Sequence, residues 1–183
     1  MRRAALVTVF VILAGVFCGG KTGSQANKPA ATAVKWPAEA TGALTEDEMG
    51  QFVKALPAFS AALKAGNWTP AQPKEGDGPV AYLTSIIEGM NAPGVDDSLK
   101  AFGGWVKLRP TLYKVFATMS ALQVDEAPPE AIEQLKKDTS AAAKRSLRNY
   151  EAVKAACSQI PDANKQIVAK HQQELQALNT LGR

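Results

Sequence analysis

The stretch LTEDEM at residues 44–49 is the clearest helix start in the chain, and the rest of the sequence is interpreted from it. The hydroxyl of Thr45 can accept a hydrogen bond from the amide of Glu48, whose side chain can reach back to the Thr45 amide, as in a capping box. The acidic residues of the stretch suit the positive end of a helix dipole. We therefore predict a helix that begins after Thr45 and ends at Gly66 and Asn67.

Four more stretches with apolar side chains at helical spacing follow this helix. They cover about residues 79–90, 96–122, 129–158 and 162–182. In the second of them, we expect Asp96 or Asp97 as the cap and a bend at Gly103-Gly104 and Pro110. The sequence therefore predicts an all-α fold, a helical bundle of about five helices. Because only a short break separates the last two stretches, we expect a long C-terminal antiparallel helical hairpin.

The first 18 residues are typical of an export signal. Met1-Arg2-Arg3 is positively charged, and residues 4–17 contain no charged residue. Those 14 residues are too few for a comfortable membrane span, which needs about 20. We therefore predict a signal peptide over residues 1–18.

The signal segment ends in LAGVFCGG at residues 13–20, which resembles the lipobox of bacterial lipoproteins. In that family, a cysteine after small residues is lipidated and becomes the new N-terminus. The resemblance implies a lipid anchor on Cys18 and a place in the bacterial cell envelope, facing the periplasm or the exterior. Two alternatives stay open: plain secretion after cleavage near Gly19 or Gly20, and an uncleaved membrane anchor.

Residues 19–43 are rich in Gly, Ala, Thr and Pro and have little to bury, so we predict a disordered tether there. Trp36 is the exception within it, either docked on the folded domain or present by chance. The folded domain is then predicted to be residues 44–183.

Composition and charge exclude several classes of partner and site. The net charge is +4, and without Arg2 and Arg3 there remain 19 basic and 17 acidic residues, a balance that argues against nucleic acid. The predicted domain has one histidine and one cysteine, which cannot supply a tetrahedral zinc site, and we predict no metal and no cofactor. A basic strip of Lys144, Arg145, Arg148 and Lys154 is either a solvated helix face or a contact for anionic headgroups.

Three residues could carry chemistry: His171, Tyr150 and Cys157. His171 continues the apolar stripe of the last helix, and we expect a packing histidine about level with Tyr150. Cys157 stands among alanines, which is typical of a buried, inert thiol. An enzyme or redox protein built on these three residues remains the alternative hypothesis.

Our main functional hypothesis is a non-enzymatic envelope protein that binds an envelope protein or a hydrophobic ligand. The candidate contact residues are Trp68, Trp105, Tyr82, Tyr150 and His171. We also note that residues 49–57 and 102–110 share four of nine positions, which is either a duplicated unit or two amphipathic helices that look alike by chance.

Overall fold

The computed structural model describes residues 35–74 and 77–180, the last two by backbone only. Over these residues the chain is all-α, which confirms the predicted fold class, and it contains no strand there. The α-helices are α1 (Glu46–Ala65), α2 (Pro79–Gly89), α3 (Val95–Ser98), α4 (Gly104–Asp125), α5 (Pro129–Lys137), α6 (Ala141–Cys157), α7 (Asp162–Lys170) and α8 (Gln172–Leu175). Short 3₁₀ turns lie at Ala38–Thr41, Lys100–Phe102 and Gln176–Thr180.

Helix α4 is the centre of the fold. It contacts α1, α2, α3, α6 and α7, and also the N-terminal 3₁₀ turn. Leu112, Tyr113 and Val115 of this helix are almost fully buried. On its first turn, the Trp105 ring stacks on Phe59 of α1 with 6.1 Å between ring centroids. Burial of these apolar side chains around one helix is the main source of stability.

The local helix starts agree with the sequence. Thr45 caps α1 in a complete capping box with Glu48, and Pro79 occupies the first turn of α2. Both features depend only on residues within one helical turn of each other, which explains why the sequence alone predicted them.

The predicted third helix is divided. Gly103 and Gly104 both have positive φ, +88° and +77°, so the chain turns sharply between a 3₁₀ turn and α4. Gly94, not an aspartate, precedes α3, and Asp96 instead caps α4: its Oδ1 accepts a hydrogen bond from the Trp105 amide at 2.8 Å. A β-carbon on Gly104 would stand 2.7 Å from that carboxylate oxygen. Pro110, where we also expected a bend, lies inside α4.

The two predicted C-terminal helices are also divided. The stretch 129–158 forms α5 and α6, separated by a short turn in which the Ser140 hydroxyl accepts from the Ala143 amide and so caps α6. The stretch 162–182 breaks at His171 between α7 and α8. Helices α6 and α7 both pack on α4, and their pairing as a long antiparallel hairpin remains a prediction.

The folded unit begins earlier than predicted, because residues 36–43 are not a tether. Trp36 and Ala40 are buried, and the 3₁₀ turn that contains Ala40 packs on α4. Asn164 of α7 fixes this segment: its amide bonds the Leu44 N–H at 2.8 Å and the Gly42 carbonyl at 2.9 Å. The predicted signal peptide, Cys18 and residues 19–34 lie outside the described residues.

Candidate functional site

Cys157 lies in the core near the C-terminal end of α6. Its side chain is buried, and its thiol donates weakly to the Ala117 carbonyl at 3.8 Å. Burial raises the pKa of the Cys157 thiol to about 11, although the nearby Trp36 indole favours the thiolate. The indole Nε1 forms no hydrogen bond of ordinary geometry with any described residue. At neutral pH this thiol is therefore protonated and a poor nucleophile.

His171 lies at the break between α7 and α8, against the first turn of α1. Its Nε2 is 3.6 Å from a carboxylate oxygen of Glu46, and its Nδ1 is 3.5 Å from one of Glu174. Neither distance makes a hydrogen bond of good geometry, and Nδ1 is buried without a bonded partner among the described residues. The Lys170 ammonium holds the pKa of Glu46 below its usual value, and His171 makes a smaller contribution in the same direction. His171 thus belongs to a charged contact between the C-terminal segment and α1.

Tyr150 is half-buried on α6, with the Lys154 ammonium 6.0 Å from its ring centroid. No hydrogen bond joins the Tyr150 hydroxyl to His171, the residue that we expected about level with it. The three residues of the enzyme hypothesis therefore have separate surroundings: an apolar core, a charged contact at α1, and the surface of α6. A nucleophile and a base must lie within hydrogen-bond reach of each other, and this arrangement does not provide that.

Two of the predicted contact residues are core residues. Trp105 is 6% exposed and Tyr82 is 7% exposed, so neither can form much of a contact surface. The helical spacing that revealed them could not distinguish an inward aromatic from one at a surface. Trp68 is half-buried in the loop after α1, where its Nε1 lies beside Gly89 of α2. Trp68 and Tyr150 therefore remain candidate contacts.

A cluster that sequence reasoning missed joins the N-terminal turn to the body. The Arg109 guanidinium lies 2.9 Å from Glu39 and 3.3 Å from Glu88, and the Tyr113 hydroxyl donates to Glu88 at 2.6 Å. Desolvation, helped by the bond to Glu88, raises the pKa of Tyr113 above its ordinary value. No local sequence pattern predicts this cluster, because its members come from three separate elements. Its charged groups are paired with one another, so they connect the N-terminal turn, α2 and α4.

The outer side of α6 carries the predicted basic strip. Lys144, Arg145, Arg148 and Lys154 are all exposed, while Ala143, Val153 and Cys157 on the opposite side are buried. The first three cations make no ion pair with any described residue. This is the largest group of unpaired charge of one sign on a single helix in the described chain.

Over residues 35–74 and 77–180, no group of three or more potential metal ligands is close enough to hold an ion. In the same residues, every helix is too short or too polar to cross a bilayer. Comparison of the chain with protein-family models, with curated proteins and with solved structures finds no match.

Proposed function

We propose that this chain is a bacterial envelope protein attached to a membrane through a lipid on Cys18, and that its helical body is a binding module rather than a catalyst. The observation that carries the second part is the separation of His171, Tyr150 and Cys157. The first part is supported by the lipobox-like residues 13–20.

The burial of Trp36 shortens the tether in this proposal to residues 19–34. A flexible chain of those 16 residues has an r.m.s. span of about 20–24 Å. The helical body would therefore remain close to the membrane that holds the lipid, and its partners would be an envelope protein or a hydrophobic ligand found there.

The contacts that we propose for a partner are Trp68 and Tyr150. Both are half-buried, so each combines a fixed position with an accessible aromatic edge. Such aromatic anchors contribute strongly when a partner desolvates them. His171 keeps a quarter of its side chain exposed and is a weaker candidate.

Incorporation of radiolabelled palmitate tests the anchor. We expect label in the wild-type chain and in Cys157→Ser, and no label in Cys18→Ser, since the first cysteine alone follows the lipobox-like residues. Cys157→Ser is the matched control because it removes the other cysteine of the chain. Label retained in Cys18→Ser, or no label in the wild type, would contradict the anchor.

Co-purification from cross-linked membranes tests the binding module. A partner should be recovered with the wild-type chain and with Val106→Ala, a variant of the exposed apolar residue on α4, but less with Trp68→Ala or Tyr150→Ala. Equal recovery from all four proteins would show that these aromatics are not the contact. Loss of a phenotype in His171→Ala with recovery unchanged would favour the enzyme hypothesis instead.

A further inference from the structure

The charge of the folded body is balanced overall but not on α6. Residues 35–74 and 77–180 contain 16 Lys and Arg and 16 Asp and Glu, so their net charge is zero. Helix α6 contains four basic residues and one acid, Glu151, and therefore carries +3.

Three of these cations form one continuous surface, which we call the cationic ridge: Lys144, Arg145 and Arg148. Arg148 is four residues from Lys144 and three from Arg145, spacings that place side chains next to each other on a helix. All three are exposed, and the other exposed positions on this side are mostly alanines, Ala141, Ala152 and Ala155, with Glu151 as the exception three residues after Arg148. The long basic side chains therefore extend beyond most of their neighbours on this side.

The cationic ridge does not help the protein to fold. It lies in the N-terminal half of α6, where the helix dipole disfavours positive charge, and the first turn of α6 contains no acid. Like charges three and four residues apart also repel each other. Some lysines of the body have carboxylate partners, as Lys165 has Asp125 and Asp162, but the ridge has none among the described residues.

The two remaining charges of α6 do not cancel the ridge. Glu151 lies near Lys136 of α5 and helps to raise the pKa of that lysine, after the larger effect of Glu133. Lys154 stands beside the ring of Tyr150. The helix therefore keeps its net charge of +3, and no carboxylate of the described residues forms an ion pair with the three ridge cations.

We infer that the cationic ridge of α6 docks on the anionic phospholipid surface of the membrane, an inference that rests on the proposed anchoring at Cys18. The ridge cations stand among small residues and one acid, without the exposed aromatic or large apolar anchor that a shaped protein site uses, and they complement a layer of anionic headgroups. In the proposed anchoring, a flexible tether of residues 19–34 would span about 20–24 Å and keep the body close to that layer. Docking would orient the body with α6 towards the lipid.

The test uses the full chain as cells process it, with a fluorophore on Ala152→Cys, one turn after Arg148 on the exposed side. The protein is mixed with phosphatidylcholine vesicles that carry a headgroup quencher, with or without phosphatidylglycerol. The matched label site is Ala61→Cys, exposed on α1. We expect quenching at Ala152 only, only with phosphatidylglycerol, and reversed by high salt.

Charge variants make the test specific. Replacement of the three ridge cations by Gln should reduce the docked population on the order of 100-fold, since each basic residue near an anionic surface contributes about a factor of five. The control is Lys54→Gln, Lys74→Gln and Lys107→Gln, which removes three other exposed, unpaired cations and should leave quenching unchanged. The midpoint of thermal unfolding should not fall in the ridge variant, whereas a structural role would lower it.

The outcomes separate this inference from the anchor. If the Ala152 label remains unquenched on anionic vesicles, the inference is overturned. That result is expected if the ridge contacts an acidic protein instead of lipid. Palmitate labelling would in that case still support the anchor. A quenched label in a chain that takes up no palmitate supports the ridge and removes the anchor. Equal loss of quenching in both triple variants would also overturn the inference, because any cations would then suffice.

Discussion

Two hydrogen bonds of the Asn164 side chain connect the N-terminal segment to the helical body. Its side chain is completely buried, and one amide serves two backbone groups, the Leu44 N–H at 2.8 Å and the Gly42 carbonyl at 2.9 Å. Leu44 and Gly42 precede Asn164 by 120 and 122 residues in the chain. Replacement of Asn164 therefore perturbs a long-range connection without touching a helix cap.

The size of the effect follows from the burial of each partner. Asn164→Ala leaves the buried Leu44 N–H without an acceptor, which costs about 1–3 kcal/mol. The Gly42 carbonyl is only partly buried and can bond water, so its loss adds less, about 0.5–1 kcal/mol. We expect the free energy of unfolding to fall by about 1.5–4 kcal/mol in total.

Asn164→Asp gives a pH-dependent result. The new carboxyl can still accept from Leu44, but when ionised it sets a negative oxygen against the Gly42 carbonyl. Burial and that carbonyl raise the pKa of the new carboxyl in the folded state above its unfolded value of about 3.9. Folding then favours the protonated form, so the deficit of the variant relative to the wild type is smallest below about pH 4 and grows as the pH rises through the folded pKa.

Urea unfolding followed by far-ultraviolet circular dichroism measures both variants. The deficit of Asn164→Asp relative to the wild type should grow from about pH 4 to about pH 7, while that of Asn164→Ala should stay nearly constant. A loss below about 0.5 kcal/mol for the Ala variant would refute the reasoning, because surface substitutions have effects of that size. A deficit of the Asp variant that shrinks with rising pH would refute the sign.

Three further predictions test other parts of the structure. Trp36→Ala should reduce the free energy of unfolding by about 3 kcal/mol in urea titrations, because the ring is buried; a loss under about 1 kcal/mol would mean that the N-terminal turn is not part of the body. Gly50→Ala should raise the midpoint of thermal unfolding, because nothing lies within 4 Å of the new methyl group in α1. Gly104→Ala should lower that midpoint, because its φ is +77° and the methyl group would stand 2.7 Å from Asp96. Equal shifts of the midpoint in the two variants would contradict both expectations. Native Cys157 should react with iodoacetamide far more slowly than the urea-unfolded protein at neutral pH, since burial raises its pKa to about 11, and equal rates would place the thiol at the surface.

The sequence predicted what is encoded within one or two turns. The capping box of Thr45 and the helix-starting Pro79 required only neighbouring residues, and both are as expected. A local signal was also missed: Asp138 and Ser140 begin a new helix in the middle of what we predicted as one long helix. Polar residues with cap preference inside an apolar pattern indicated that break.

Long-range features could not be predicted in this way. Asp96 caps α4 rather than the helix in which we placed it, because the Gly103-Gly104 turn brings the Trp105 amide to its carboxylate. Asn164 occurs three and four residues before the apolar pair Ile167 and Val168, which placed an amide on a buried side of the helix. That pattern indicates a buried polar group but cannot name a partner more than 100 residues away.

Two of the aromatic candidates were misplaced for the same reason. Trp105 and Tyr82 have the helical spacing of a core and are in the core, whereas the half-buried Trp68 is accessible through its position in a loop beside α2. Whether an aromatic faces inward depends on which helices cover it, and that is decided by the packing around α4. The candidate contact surface is accordingly smaller than the sequence suggested.

The intact mass of the protein isolated from the membrane fraction tests the central proposal most directly. We predict a mature chain whose first residue is Cys18 and whose mass exceeds that of the peptide by covalently bound lipid. A mature chain that begins at Met1, Gly19 or Gly20, or one that begins at Cys18 without added mass, would contradict it.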